Sequence, residues 1–318
     1  MSGKNYSVIF TAMKKFRKAR FIAEFLFFQG VASLSSILPR KVVLFIGTLF
    51  GRIIYHLDRK RKRIGMENLK MAFGGSLTPR ERKKIIKKVY IQMGRCAFDV
   101  FLFPRFTKES IGKTIFYEGL ENIQRAYEKK RGVFLFSAHF GNWELVAHMQ
   151  GHLGFPLMLV TRPLDNPYIE RKIAQKYRTL SGNGVIHKKN AVREMLKAIA
   201  RGLGIAIVID QNVREKPYVF VDFFGIPAAT TPSLSLLALK TGATIIPVFS
   251  VPRDDGTYRI IYEKEVEIIN TGNREKDVLD IMQTCTKIIE RYVREYPHLW
   301  MWMHQRWRTK VTNSADVR

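Results

Sequence analysis

His139 and Glu144 lie in the run Gly132-Val-Phe-Leu-Phe-Ser-Ala-His-Phe-Gly-Asn-Trp-Glu144. An imidazole within reach of a carboxylate is the minimum set for general base chemistry, because the carboxylate fixes the tautomer and stabilises the imidazolium. The elements around the two residues favour their meeting. Val133 to Phe136 is a short, continuous run of β-formers and reads as a buried strand. Trp143 to Gly151 reads as a helix with Asn142 at its cap position. His139 then sits in the strand-to-helix turn and Glu144 in the first helical turn. The spacing alone is weak: seven His and 27 acidic residues give about 0.6 such pairs by chance. A capping or core histidine beside a solvated glutamate has the same spacing. The place at a strand's carboxyl end, where open α/β sheets build their sites, is the stronger signal.

Other strand ends carry polar clusters. Leu157 to Val160 leads into Thr161-Arg-Pro-Leu-Asp-Asn-Pro167, which contains Arg162 and opens a helix containing Lys176-Tyr-Arg178. Ile205 to Ile209 leads into Asp210-Gln211-Asn212, followed by the aromatic loop Tyr218-Val-Phe-Val-Asp-Phe-Phe-Gly-Ile-Pro-Ala-Ala-Thr-Thr231. Singly, Arg162 and Arg178 read as solvated charges, and Asp210 serves equally well as a cap. Together they gather at one side of one sheet.

That sheet follows from the alternation of elements beyond residue 111. Strands are expected at Gly132–Ser137, Leu157–Thr161, Ile205–Ile209, Thr244–Val251 and Arg259–Ile269. Helices are expected near 143–152, 166–179, 190–202, 232–242 and 275–294. The fold class is α/β, with a mostly parallel or mixed central sheet flanked by helices over 111–318. Residues 1–110 form a basic helical region expected to associate with membranes.

The formal net charge is +27, and residues 1–100 hold 22 Lys and Arg against 5 Asp and Glu. Such a field attracts nucleic acid, anionic lipid or an acidic protein. Two apolar segments, Phe21–Leu38 and Val42–Leu57, lie between basic clusters at 14–20 and 59–63 and favour anionic membrane lipids. The first is near the lower length limit for a spanning helix and carries Glu24, so a spanning and an interfacial placement both stand. A buried helical hairpin is the plainer alternative. Cys96 and Cys285, far apart, indicate neither a disulfide framework nor a zinc site.

Ala138-His-Phe-Gly-Asn-Trp-Glu144, Thr161-Arg-Pro-Leu-Asp-Asn-Pro167, Asp210-Gln211 and Phe223-Phe-Gly-Ile-Pro-Ala-Ala-Thr-Thr231 resemble the bacterial lipid A biosynthesis acyltransferases. These are the lauroyl/myristoyl transferases of the lysophospholipid acyltransferase superfamily. Asn68-Leu69, Phe73 and the aromatic-basic ending Pro297-His-Leu-Trp-Met-Trp-Met-His-Gln-Arg-Trp-Arg308 extend the resemblance over nearly the whole chain. The family's His-x4-Asp/Glu pair falls on His139 and Glu144. Its further arginine and aspartate fall on Arg178, with Arg162 as a rival, and on Asp210. The Phe-Pro-Glu-Gly block of the glycerolipid branch is missing.

The resemblance implies acyl transfer from an acyl carrier protein thioester to a hydroxyl of a glycolipid acceptor, a lipid A precursor. The reaction would take place at the cytoplasmic face of a bacterial inner membrane, with no metal or cofactor; acyl-CoA is the second donor. His139 is expected as general base supported by Glu144, and Asn142, Arg162, Arg178, Asp210 and Gln211 as substrate-binding. Backbone N–H groups near Gly141 and Asn142 are candidate oxyanion donors, and the Phe223-Phe224 loop is expected to border the acyl chain. Against a nucleic-acid binder stands the lack of a recognition motif. Against a serine hydrolase stands the lack of a Gly-x-Ser-x-Gly elbow. A metal site at His148 and His152 has no His-Glu-x-x-His pattern behind it. A catalytically inactive membrane scaffold is the remaining rival.

Overall fold

The computed structural model describes residues 3–187 and 191–311, with side chains from 15 onward except at 172–174. Four helices come first: α1 (Gly3–Ile37), α2 (Arg40–Leu57), α3 (Arg59–Phe73) and α4 (Pro79–Asp99). Pro39 separates the first two, since it cannot donate to an ongoing helix. Asp58 caps α3 by accepting the Arg61 N–H at 3.0 Å. Thr78 and Glu81 form a capping box on α4, which satisfies two otherwise orphaned donors.

Helices α2 and α4 meet backbone to backbone. A Cβ on Gly47 would lie 2.8 Å from the Gly94 carbonyl oxygen, so neither position has room for a side chain. Glu24, the charge that interrupts the first apolar segment, pairs with Arg20 at 3.2 Å. It also accepts from Asn166 at 2.8 Å, which anchors α1 to the α/β region.

Next come α5 (Lys108–Thr114), β1 (Ile115–Glu118), α6 (Leu120–Glu128), β2 (Val133–Ser137), α7 (Trp143–His152) and β3 (Leu157–Thr161). Short helical turns α8 (Pro167–Ile169) and α9 (Lys176–Thr179) flank a π-type stretch, Glu170–Gln175. The rest is β4 (Gly184–His187), α10 (Ala191–Ala200), β5 (Gly204–Val208), β6 (Val219–Phe223), β7 (Ile226–Thr230), α11 (Ser233–Thr241), β8 (Thr244–Pro252), β9 (Tyr258–Tyr262) and α12 (Arg274–Glu295).

The α/β expectation holds. A seven-stranded sheet runs β1-β9-β8-β2-β5-β3-β4, and its pairs are parallel except β8 with β9. Strand β2 is buried throughout because helices cover both faces of a largely parallel sheet. Phe134 and Phe136 enter the core shared with α11, α12 and the C-terminal tryptophans. Val133 and Leu135 enter the opposite core, under α6 and α7.

Two expectations need correction. The strand expected to reach Ile269 stops at Tyr262. Beyond it only scattered bonds to β8 persist, Glu263 N–H to Pro247 and Val266 N–H to Ile245, as charged Glu263, Lys264 and Glu265 follow. The aromatic loop at 218–231 contains a β6–β7 hairpin. Phe224 and Gly225 both have positive φ at its turn, a conformation that suits a two-residue hairpin but strains a phenylalanine. Glu290 accepts the Phe224 N–H at 2.9 Å and the Arg294 guanidinium lies over its ring, holding the turn.

The helical region is tied to the sheet at several points. Asn68 donates to the carbonyls of Trp302 and His304, each at 2.7 Å. Buried Asp99 accepts from Asn142 at 2.9 Å and pairs with Arg40 at 3.4 Å.

Candidate active site

The site is built from sheet register. Strands β2 and β5 pair with Ser137 opposite Val208, and two residues further on the same offset brings His139 level with Asp210. Asp210 accepts the His139 backbone N–H at 2.9 Å. Its other oxygen lies 2.8 Å from His139 Nδ1. An ionised carboxylate only accepts, so Nδ1 carries the proton and Nε2 keeps its lone pair. Nε2 lies 3.3 Å from the Gln211 amide nitrogen, and both residues line a cavity.

Trp300 Nε1–H donates to Asp210 at 2.8 Å. Burial alone would raise the Asp210 pKa, but His139 and Trp300 outweigh it and hold the carboxyl at about 2. Burial also opposes charge on His139. The attraction of Asp210, their hydrogen bond and a smaller contribution from Glu144 overcome it, leaving the imidazole pKa above its ordinary 6.5.

The loop bearing His139 is clamped by the C-terminal segment. Gly141 N–H donates to Leu299 C=O at 2.9 Å and Met301 N–H to His139 C=O at 3.1 Å. Gly141 has φ +59°, and a Cβ there would overlap the Ser250 carbonyl, so glycine is required. Behind Asp210 the buried Arg306 donates to Ala229 C=O at 2.7 Å and to Thr230 Oγ1. Its burial lowers the guanidinium pKa to about 10 although Asp210 opposes the shift.

Glu144 faces the same cavity but does not orient His139. It takes a bidentate pair from Arg178, Nε to Oε2 at 3.0 Å and Nη2 to Oε1 at 2.5 Å. The remaining guanidinium nitrogen, Nη1, is buried without a hydrogen-bond partner. Arg162 sits at the cavity rim, with its side chain 82% exposed and a loose 3.8 Å pair to Asp165.

Asn142 is occupied elsewhere. Its amide donates to Asp99 and Tyr258, and its oxygen caps α7 by accepting the Leu145 N–H at 3.2 Å. It therefore has a structural task rather than substrate contact. The Gly141 N–H, spent on Leu299, is likewise unavailable to an oxyanion. Phe223 and Phe224 pack on Trp300 and Trp302, away from the cavity.

The cavity is about 530 Å³, lined in its buried part by Leu135, Val146, Leu157, Leu159, Ala206 and Val248 and at its polar end by His139, Glu144, Arg178 and Gln211. An apolar slot with a few convergent polar groups suits a chain carrying one reactive group. Among the described residues no group of three His, Cys, Asp or Glu could hold a metal. His148 and His152 instead contact each other at 3.3 Å, with His148 stacked on Phe103.

Trp300 and Arg306 carry roles that the sequence did not reveal. Their signal was the aromatic-basic ending itself, whose partners lie 76 to 90 residues earlier.

The profile of the bacterial lipid A biosynthesis acyltransferases matches residues 12–309. The chain belongs to this family. Over 312 residues this acyltransferase is 28% identical to the lipid A biosynthesis palmitoleoyltransferase of Escherichia coli K12, covering 95% of this chain and 99% of that protein. It is 27% identical over 286 residues to the lauroyltransferase of the same organism, covering 88% and 90% of the two chains. To the myristoyltransferase it is 21% identical over 296 residues, covering 91% and 88%. These relatives are named for three different acyl groups, so the likeness defines the reaction class and not the chain transferred.

Proposed function

We propose that this acyltransferase moves a fatty acyl group from an acyl carrier protein thioester to a hydroxyl of a lipid A precursor, with His139 as general base. The observation that carries the reading is His139 Nε2, left unprotonated by the Asp210 bond and facing only the Gln211 amide at the polar end of an apolar slot. Nε2 takes the hydroxyl proton as the acceptor oxygen bonds to the thioester carbonyl carbon. Collapse of the tetrahedral adduct breaks the C–S bond, and the Nε2 proton passes to the leaving sulfur. Asp210 stays ionised and supports the imidazolium throughout. Base catalysis of this kind contributes roughly 10²–10⁴-fold, so the oxyanion needs its own donor. Arg178, at the polar end of the cavity with Glu144 holding its guanidinium in place, fits that task.

Membrane association rests on α2. Val42, Phe45, Leu49, Ile53 and Leu57 are exposed at three- and four-residue steps, which form a single stripe. Exposed Lys15, Arg17, Lys18 and Arg20 on α1 and Arg59 to Arg61 and Arg63 on α3 flank it with positive charge. No helix among the described residues is long and apolar enough to cross a membrane. The stripe suits an interfacial seat on anionic headgroups at the cytoplasmic face of the inner membrane.

The test incubates wild type and His139→Ala in detergent with labelled acyl carrier protein thioester or acyl-CoA and a lipid A precursor. A gain of one acyl mass with the carrier thioester, seen only with wild type, is the expected outcome. Fatty acid release without acylated lipid would replace the reading with a hydrolase, and preference for acyl-CoA would replace the donor.

A further inference from the structure

A second cavity, about 810 Å³, opens between α2, α3 and α4 on one side and residues of the 212–214 and 301–308 segments on the other. The reaction above leaves it unused, yet it adjoins the base. Met301, in its wall, donates its N–H to the His139 carbonyl. Asn212, also in its wall, follows Gln211, whose amide is 3.3 Å from His139 Nε2. The two cavities therefore flank the 210–212 loop.

The lining of this second cavity has two parts. Phe50, Ile54, Met93, Ala97, Met301 and Met303 give an apolar surface, and Lys60, Arg61, Arg214 and Arg308 give a basic one. The basic groups are lightly engaged. Arg61 reaches Asp58 only at 4.0 Å, Arg308 donates to Gln305 at 3.0 Å, and Arg214 makes no ion pair among the described residues. Tyr90, also in the lining, is 4% exposed, and its hydroxyl makes no hydrogen bond of normal geometry although Asp58 is near. Phe50 belongs to α2, beside the exposed stripe, so the cavity opens next to the surface assigned to the membrane.

An apolar floor and a cationic rim, with Asp58 the single carboxylate in the lining, call for an anionic amphiphile rather than a soluble anion. Arginine favours phosphate because its planar fork matches the oxygens. We infer that this cavity is the acceptor subsite, taking an acylated, phosphate-bearing glycolipid with its phosphate on Arg61, Arg214 and Arg308 and its chains along the apolar floor. The inference rests on the transfer reaction proposed above. It places the donor chain and the acceptor in separate cavities on either side of the 210–212 loop, with His139 in the wall of the first.

The test compares full-length wild type, Ala97→Trp and Arg214→Glu in detergent micelles. Ala97 is exposed, so the added indole occupies the cavity without entering the core. With donor saturating, both variants should raise the acceptor KM at least about tenfold, with the donor KM and melting temperature unchanged. On a dephosphorylated acceptor the Arg214→Glu penalty should collapse; its persistence would overturn the phosphate contact. An unchanged acceptor KM, or a raised donor KM in its place, would overturn the subsite. Equilibrium binding of the acceptor without donor reads the same site independently of turnover. Weaker binding by Ala97→Trp supports the subsite even if wild type transfers no acyl group, and equal binding contradicts it.

Discussion

Two carboxylates act on one histidine and have different partners. Asp210, at the end of β5, is 5% exposed and accepts two hydrogen bonds from His139 and one from Trp300. Glu144, in the first turn of α7, is a quarter exposed and is held by Arg178. Glu144 is five residues from the histidine and Asp210 is seventy-one. A parallel ladder makes residues of equal offset level with each other, whereas a helix's first turn can swing its side chains toward any neighbour. Proximity in sequence therefore brought His139 and Glu144 to one cavity, whereas the histidine's hydrogen-bond partner comes from a distant strand end.

The strongest way to break this comparison is Asp210→Asn. The amide cannot accept as an anion does and permits the wrong tautomer, so turnover should fall about 10²–10⁴-fold with the protein still folded by circular dichroism. A loss under tenfold would move the orienting role back to Glu144.

Trp300→Phe should be the next largest effect, because it removes one hydrogen bond to a buried anion, about 1.5–3 kcal/mol in denaturant unfolding. It should also raise the Asp210 pKa. The depressed Asp210 pKa contributes stability that is present above 3.8 and is lost as pH falls toward about 2. The variant should therefore lose its acid stability at higher pH than wild type.

A double-mutant cycle sharpens the pairing. Glu144→Gln with Arg178→Gln should couple by about 0.5–3 kcal/mol in transition-state energy, whereas residues without shared partners add. Strong coupling of Glu144→Gln to Asp210→Asn instead would mean that the two carboxylates act as one unit. Arg162→Ala should have the smallest effect, within about 0.5 kcal/mol of wild-type stability, since its exposed 3.8 Å pair is screened by water.

Much of the scaffold was legible because it depends on local pattern. The apolar runs that became β2 and β3 are bounded by turn residues, and β8 differs from its expected range by one residue. What was hidden depends on contacts between distant segments. The edge strands β1 and β4 have four residues each, too few to show a period. The β6–β7 hairpin was obscured by a turn made from Phe224 and Gly225, where asparagine or glycine would have marked it. Asp210 was identified as a site residue, but its bond to His139 follows from ladder register. Trp300 and Arg306 became readable only when the C-terminal segment was seen crossing the strand ends. Asn142 was expected as both cap and substrate contact; with its amide bonded to Asp99 and Tyr258, only the cap remains.

The pH dependence of kcat/KM in wild type, Asp210→Asn and Glu144→Gln tests the central claim most directly. A general base must be neutral, so the rate rises as pH passes the His139 pKa, which lies above 6.5 in the wild type. Removing the Asp210 charge leaves burial to disfavour the imidazolium, so the acid limb should move to lower pH. Glu144→Gln should move it less, because Glu144 is the smallest of the stated influences on His139. An acid limb that stays fixed in Asp210→Asn and shifts in Glu144→Gln would contradict the account and make Glu144 the partner of the base.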